Sequence, residues 1–153
     1  MSSIASRDAL ILLRASFSAP KVLHMLRCLP SVSHPSLKKF DALLKQVIQP
    51  ITNSDLSGLQ WIQTSLPVRD GGLGVRRVSA LAFPAFLASV ASTQSTQDDI
   101  LSDCLKSEID FLQSFLAVWS AKFGDIPDAL PTKQPLWDHP GGDWLIALPV
   151  GSF

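Results

Sequence analysis

At 153 residues the chain has the length of one ordinary domain, enough to bury a real core. Apolar residues make up 46% of it and charged residues 17%, with a mean hydropathy of +0.24, a balance that excludes wholesale disorder. Net charge is zero, yet residues 1–80 hold ten Lys/Arg against four Asp/Glu, and residues 81–153 hold three against nine. A basic half joined to an acidic half either steers polyanions or draws the halves together. The apolar excess in so short a chain also fits faces built to meet another domain.

Proline punctuates a series of helical patterns. Asp8 to Phe17 repeats Leu10, Leu13 and Phe17, with Arg7 and Arg14 on the other side. Pro20 suits the first position of a second helix, carried by Val22, Leu23, Met25, Leu26 and Leu29 up to Pro30. The third pattern is the cleanest: Pro35 opens it, and Leu37, Phe40, Leu43, Leu44, Val47 and Ile48 share one stripe. Lys38, Lys39, Asp41 and Lys45 fall on its other faces, and Pro50 is expected to end it. A short helix after an Asn53-Ser54-Asp55 cap leads through Leu56 and Leu59 to Trp61.

Leu66-Pro67-Val68 reads as extended, because a residue before proline avoids the helical region. Gly71-Gly72 reads as a turn, and Gly74 as a site of close packing or positive φ. Ala80 to Ala91 is a helix of small and apolar residues, kinked at Pro84 or beginning near it, and Ser92 to Gln97 a polar loop. A long helix is expected from about Asp98 to Phe123, with Thr96 and Asp99 at capping-box spacing. Its stripe comprises Leu101, Leu105, Ile109, Leu112, Phe115, Leu116 and Trp119, and Gly124 is its glycine cap. Pro127, Pro131, Pro135, Pro140 and Pro149 forbid regular structure beyond, so residues 125–153 read as an irregular Pro-rich tail. The expected class is all-α: a compact multi-helix domain of five to six helices over 1–124, with the glycine turn at 70–74, then the tail.

Cys28 and Cys104 sit far apart inside apolar patterns and read as buried, reduced residues of an intracellular protein. No apolar run reaches the length of a membrane span, since Pro84 breaks the longest, so no membrane partner is expected. The Ser- and Arg-bearing N-terminus resembles a transit peptide, but Asp8 and the continuous helical pattern favour mature structure.

Chemistry is sparse. Two-metal phosphoryl transfer needs several carboxylates converging on a metal pair. The one adjacent acidic pair, Asp98-Asp99, reads as helix-dipole complementarity at a helix start. Gly72-Leu73-Gly74-Val75-Arg76-Arg77 puts Arg where a dinucleotide loop needs its third glycine, and no Walker-type lysine follows. His24 and Cys28 lie four apart, a spacing that can hold a metal, but His34, Cys104 and His139 show no ligand spacing to complete a set. Asp138-His139 and Asp143 flank a Pro-Gly-Gly turn without a nucleophile motif. No catalytic residue, metal, cofactor or small-molecule substrate is therefore expected. The basic residues remain. Arg69, Arg76 and Arg77 crowd a turn from which guanidinium forks can reach phosphate oxygens, and Lys38, Lys39 and Lys45 add a second row. The alternative is a solvated surface that keeps a greasy domain in solution.

Residues 5–89 resemble, in order, the region after the palm in the reverse transcriptases of non-LTR retrotransposons. The resemblance rests on Ala9 to Arg14, Pro20 to Arg27, Phe40 to Ile48, and a W-x-Q-x-S-L-P-V…G-G-L-G-V-R segment. In that segment Trp61, Gln63, Leu66, Pro67, Gly71, Gly72, Leu73, Gly74 and Arg76 are all in place. Trp137-Asp138 and Gly142 to Pro149 resemble pieces found further along such polyproteins, here almost adjacent. The resemblance implies a fragment similar to a polymerase thumb, a helical unit that packs on the palm and grips an RNA–DNA hybrid by its backbone. It implies RNA-directed DNA polymerase for the whole family protein and a non-catalytic role for this piece. Two other readings stand beside it: a scaffold docking a protein partner through an apolar face, and a degenerate relic without activity.

Overall fold

The computed structural model describes residues 5–100, 111–124, 126 and 130–137. The chain is all-α, and the described residues contain no strand. Helix α1 (Ser6–Leu12) passes into a π-helical turn, Leu13–Phe17. Ser18 interrupts it, buried, with its Oγ donating to the Arg14 carbonyl at 3.4 Å. Helix α2 (Ala19–Cys28) then restarts with Pro20 in its first turn, where a missing N–H costs no hydrogen bond. Of the apolar pattern expected along α2 only Leu26 is buried; Met25 and Leu29 are exposed.

Helix α3 (Pro35–Thr52) begins at His34, whose ring nitrogen accepts from the Ser36 N–H at 3.3 Å. Pro50 does not end it. The helix runs two residues further and stops at Asn53, which takes the left-handed conformation at φ 49°. Asparagine tolerates that region better than most residues, so it marks the end that the proline does not. The stripe on α3 is also narrower than its periodicity suggests. Leu44 and Ile48 are buried, whereas Leu43 and Val47 are exposed and Asp41, expected outside, takes a buried place.

Helix α4 (Gly58–Thr64) is capped by Ser57 and not by Asn53-Ser54-Asp55. Gln60 N–H donates to Ser57 Oγ at 3.3 Å and Ser57 N–H to Gln60 Oε1 at 2.8 Å, a reciprocal capping box. A 3-10 turn, Val68–Asp70, follows Pro67. Helix α5 (Val78–Ile100) absorbs both Pro84 and the stretch expected to be a polar loop. There Ser92 and Thr93 hydroxyls donate back to the Ser89 carbonyl at 2.8 and 3.0 Å, and Gln97 Nε2 to Thr93 Oγ1 at 2.9 Å. Side chains that often break helices are thus satisfied within one. Asp98 and Asp99 consequently lie in the last turn of α5, not at a helix start. The long helix expected over 98–123 appears as the end of α5 and as α6 (Phe111–Phe123), and its residues 101–110 lie outside those described.

Contacts divide the chain into two units, Met1–Phe83 and Pro84–Phe153. The core of the first comprises Leu13, Leu44, Ile48, Trp61 and Val75, with Leu10, Phe40, Ile51 and Leu56 packed against it. In the second, Phe86 and Phe115 meet with ring centroids 4.9 Å apart. Gly124 ends α6 at φ 98°, its N–H donating to the Ser120 carbonyl at 3.1 Å. Within the region expected to be irregular, helix α7 (Gln134–Trp137) buries Trp137 edge-on against Trp119, centroids 5.1 Å apart. The Trp137 indole N–H donates to the Pro131 carbonyl, which gives the buried ring its polar partner. Residues 138–153, with the second part of the tail's resemblance, lie outside the described residues, as does Cys104.

Candidate nucleic-acid interface

The segment from Trp61 to Arg77 folds back on itself. Trp61 is buried in the core and anchors α4. From the glycine stretch, Leu73 N–H donates to the Thr64 carbonyl and Gly74 N–H to the Leu66 carbonyl, both at 2.9 Å, while Gln63 Nε2 donates to the Gly71 carbonyl at 3.3 Å. Two glycines are required. A Cβ on Gly72 would lie 2.1 Å from the Leu66 carbonyl oxygen, an overlap no side chain escapes. Gly74 sits at φ 74°, and a Cβ there would lie 2.8 Å from Arg14 Cδ.

That second approach places Arg14, from the π-helical turn, across the turn that carries Arg69 and Arg76. Pattern reading gives Arg14 only a place on the polar side of its helix, because the two residues that meet are sixty positions apart. Arg69 is exposed and pairs with the neighbouring Asp70 at 3.5 Å, a surface pair that contributes little. Arg76 is half-buried. Lys38 and Lys39 are exposed near the start of α3, and Lys45 is half-buried further along it.

Arg77 does not join the fan of arginines expected at the turn. Its side chain is buried, 7% exposed, and among the described residues Nε and Nη2 have no hydrogen-bond partner. Beside it stands Asp41, also buried. Its carboxylate accepts from the Val78 N–H at 2.7 Å, the Ser79 N–H at 3.2 Å and the Ser79 hydroxyl. A side chain of α3 therefore caps the start of α5, satisfying N–H groups that the helix itself leaves open. Burial raises the Asp41 pKa above the usual carboxylate range, against the pull of these donors and of Arg77. Burial likewise lowers the Arg77 pKa, with Asp41 opposing and Arg76 adding to the shift. Desolvation outweighs attraction on both sides of the pair.

With Arg77 and Asp41 withdrawn, the exposed and half-buried positions of residues 5–83 carry nine basic side chains against three acidic ones. The positive excess of the first half therefore stands entirely on its surface. An apolar groove of about 410 Å³ opens in the same unit, lined by Ala9, Leu12, Leu13, Phe17, Phe40, Leu43, Leu44, Val47 and Ile51. Among the described residues no three His, Cys, Asp or Glu side chains stand together in a metal-holding group. Cys28 is exposed and not in the core, because α2 turns only Leu26 and Ala19 inward.

Two stretches, Ser6–Cys28 and Val78–Ile100, are long and apolar enough to cross a membrane by length and composition, contrary to the sequence expectation. The first carries Arg7, Arg14, Lys21 and Arg27 along its length and is broken at Ser18, which opposes a span. The second buries every residue from Leu81 to Ala88, as a core helix does. Comparison with protein-family models, curated proteins and solved structures gives no match.

Proposed function

We propose that this chain is a non-catalytic, nucleic-acid-gripping helical fragment, similar to the thumb of a retrotransposon reverse transcriptase, that holds an RNA–DNA hybrid by its phosphates. The observation that carries the reading is the nine-to-three basic excess on the surface of residues 5–83, with Arg77 and Asp41 withdrawn together into the interior. Phosphate contacts need donors and shape but no base reading, and arginine forks supply them. Arg14, Arg69 and Arg76 at the glycine turn are the central contacts, and Lys38, Lys39 and Lys45 on α3 extend them. Arg77 belongs to the scaffold that supports the turn. The chain is intracellular in this reading, where Cys28 stays reduced.

Fluorescence anisotropy of a labelled RNA–DNA hybrid at several salt concentrations tests the proposal. A Kd of about 1–100 μM at low salt, with log K falling linearly against log salt, is expected for backbone-only contact. A folded protein that leaves the anisotropy unchanged at low salt would rule it out.

The apolar groove favours a second reading, a scaffold whose Leu43 and Val47 face meets a protein partner such as a polymerase palm. Such a complex would ignore salt and respond to polar substitution in the groove.

A further inference from the structure

We propose that Ser79 is a phosphorylation site whose phosphate replaces Asp41 as the cap of α5 and thereby loosens the hold on nucleic acid. The loosening rests on the function proposed above; the exchange of caps does not. Ser79 is the one serine or threonine of the chain with basic residues at both the second and the third position before it, Arg77 and Arg76. Protein kinases with acidic substrate grooves select that charge pattern. Residues 75–77 lie outside any helix and Ser79 is exposed, so the hydroxyl stands at the surface after an irregular approach. Release of its hydrogen bond to Asp41 frees the Oγ. The step transfers the γ-phosphoryl group of ATP: the bond from phosphorus to the ADP oxygen breaks, a bond to Oγ forms, and the hydroxyl proton leaves.

The fold holds a place for the product. Ser79 is the second residue of α5, where open N–H groups and the helix dipole favour an anion. Asp41 fills that place in the unmodified chain, accepting from the Val78 and Ser79 N–H groups at 2.7 and 3.2 Å. Arg77 immediately precedes the helix, its carbonyl accepting from the Leu81 N–H at 3.2 Å. Its Nε and Nη2 are buried, and among the described residues neither has a hydrogen-bond partner. These two nitrogens share one edge of the guanidinium, the edge that grips two oxygens of a phosphate side by side. A phosphoserine brings about two negative charges and three acceptor oxygens, where the carboxylate brings one charge. Two anions repel one another at a single helix start, so the phosphate, with the larger charge and the open edge of Arg77, displaces Asp41. The added charge also stands three residues from Arg76, a proposed contact of the hybrid, and opposes the approach of a polyanion.

The test uses the full folded chain. A serine kinase of basic specificity, with ATP, should add a phosphate that peptide mass spectrometry finds on Ser79, and Arg76→Ala should slow the addition about tenfold. Urea midpoints then read the cap. Asp41→Ala, or Asp41→Asn if the alanine variant does not fold, should lower the midpoint of the unmodified protein and hardly move that of the phosphorylated one. Arg77→Met should cost the phosphorylated protein more than the unmodified one. Phosphorylation should weaken hybrid binding about tenfold at low salt. Phosphate found only on other residues, or an Asp41 substitution that costs both forms equally, would overturn the exchange of caps whether or not the chain binds nucleic acid. Phosphorylated and unmodified proteins that bind the hybrid equally well would overturn the loosening. An unmodified chain that does not bind at all sinks the grip and the loosening together, and the urea midpoints still decide the cap.

Discussion

Asp41, on α3, accepts a hydrogen bond from the backbone N–H of Val78 at 2.7 Å and so caps a helix that begins thirty-seven residues later. The same carboxylate takes the Ser79 N–H and hydroxyl. Asp41→Ala leaves a buried N–H open and Arg77 without a countercharge, so the expected loss is about 2–4 kcal/mol of folding stability. Asp41→Asn keeps one acceptor oxygen and should lose about half as much. Urea denaturation of the two variants checks both the size and the order. Equal stability of the alanine variant and the parent would show that the cap contributes nothing.

Acidity should act on Asp41 in an unusual direction. Burial raises its pKa in the folded state, so the native protein binds a proton more tightly than the unfolded chain does. The stability linked to this group is then fully present below about pH 4, the unfolded value, and is lost as pH rises through the higher folded one. The stability advantage of the parent over Asp41→Ala should therefore shrink between pH 4 and neutrality. Denaturation midpoints of the two proteins, measured in parallel across that range, decide the sign.

Gly72 and Gly74 support different things. Gly72→Ala meets the Leu66 carbonyl at 2.1 Å and must open the turn, with an expected loss above about 2 kcal/mol. Gly74→Ala meets the movable Arg14 side chain, Val68 Cγ2 at 3.3 Å and the positive φ, and should lose about 1–2 kcal/mol. Because it displaces Arg14, Gly74→Ala should also weaken hybrid binding in a protein that remains folded. Thermal melts and anisotropy on the same samples separate the two effects.

Local signals carry most of the helical reading and little of the site. Periodicity locates α1, α2, α3 and the end of α6, since each rests on neighbours three and four residues apart. Ser57-Gly58-Leu59-Gln60 spells its capping box in order, and only the more conspicuous Asn53-Ser54-Asp55 cluster draws the cap elsewhere. Ser92 to Gln97 has loop composition, and nothing local reveals that its hydroxyls bond back to their own helix. Asp41 and Arg77 escape pattern reading for a different reason. Each is polar, so periodicity turns it outward, yet both are buried, Asp41 through donors at Val78 and Ser79 that lie far along the chain. Arg14 reaches the turn through the same kind of long-range approach.

The arginines of the first unit should divide by burial. Arg14→Ala, Arg69→Ala and Arg76→Ala should each weaken hybrid binding and flatten the salt slope by about 0.7–0.9 for each phosphate no longer held. Arg77→Met should leave that slope unchanged. Its Nε and Nη2 are buried, without hydrogen-bond partners among the described residues, and an apolar side chain of similar length removes a desolvation cost while stranding Asp41. A change in stability without a change in binding is the expected signature. Loss of binding by Arg77→Met in a folded protein would place the guanidinium at the interface after all.

Leu43 and Leu44 are adjacent on α3 and should behave oppositely. Leu44 is 4% exposed within the core formed with Leu13, Ile48, Trp61 and Val75, so Leu44→Ala should lose about 2–5 kcal/mol. Leu43 is 60% exposed on the rim of the groove, and Leu43→Ser should change stability by less than about 0.5 kcal/mol. Periodicity alone assigns both to one stripe, so the pair measures directly which side of α3 faces inward. The exposed member also tests the scaffold reading. If a protein partner seats in the groove, Leu43→Asp should abolish that complex while hybrid binding falls only slightly, through one added negative charge. If Leu43→Ser destabilises the fold as much as Leu44→Ala, the groove is part of the closed core and no partner docks there.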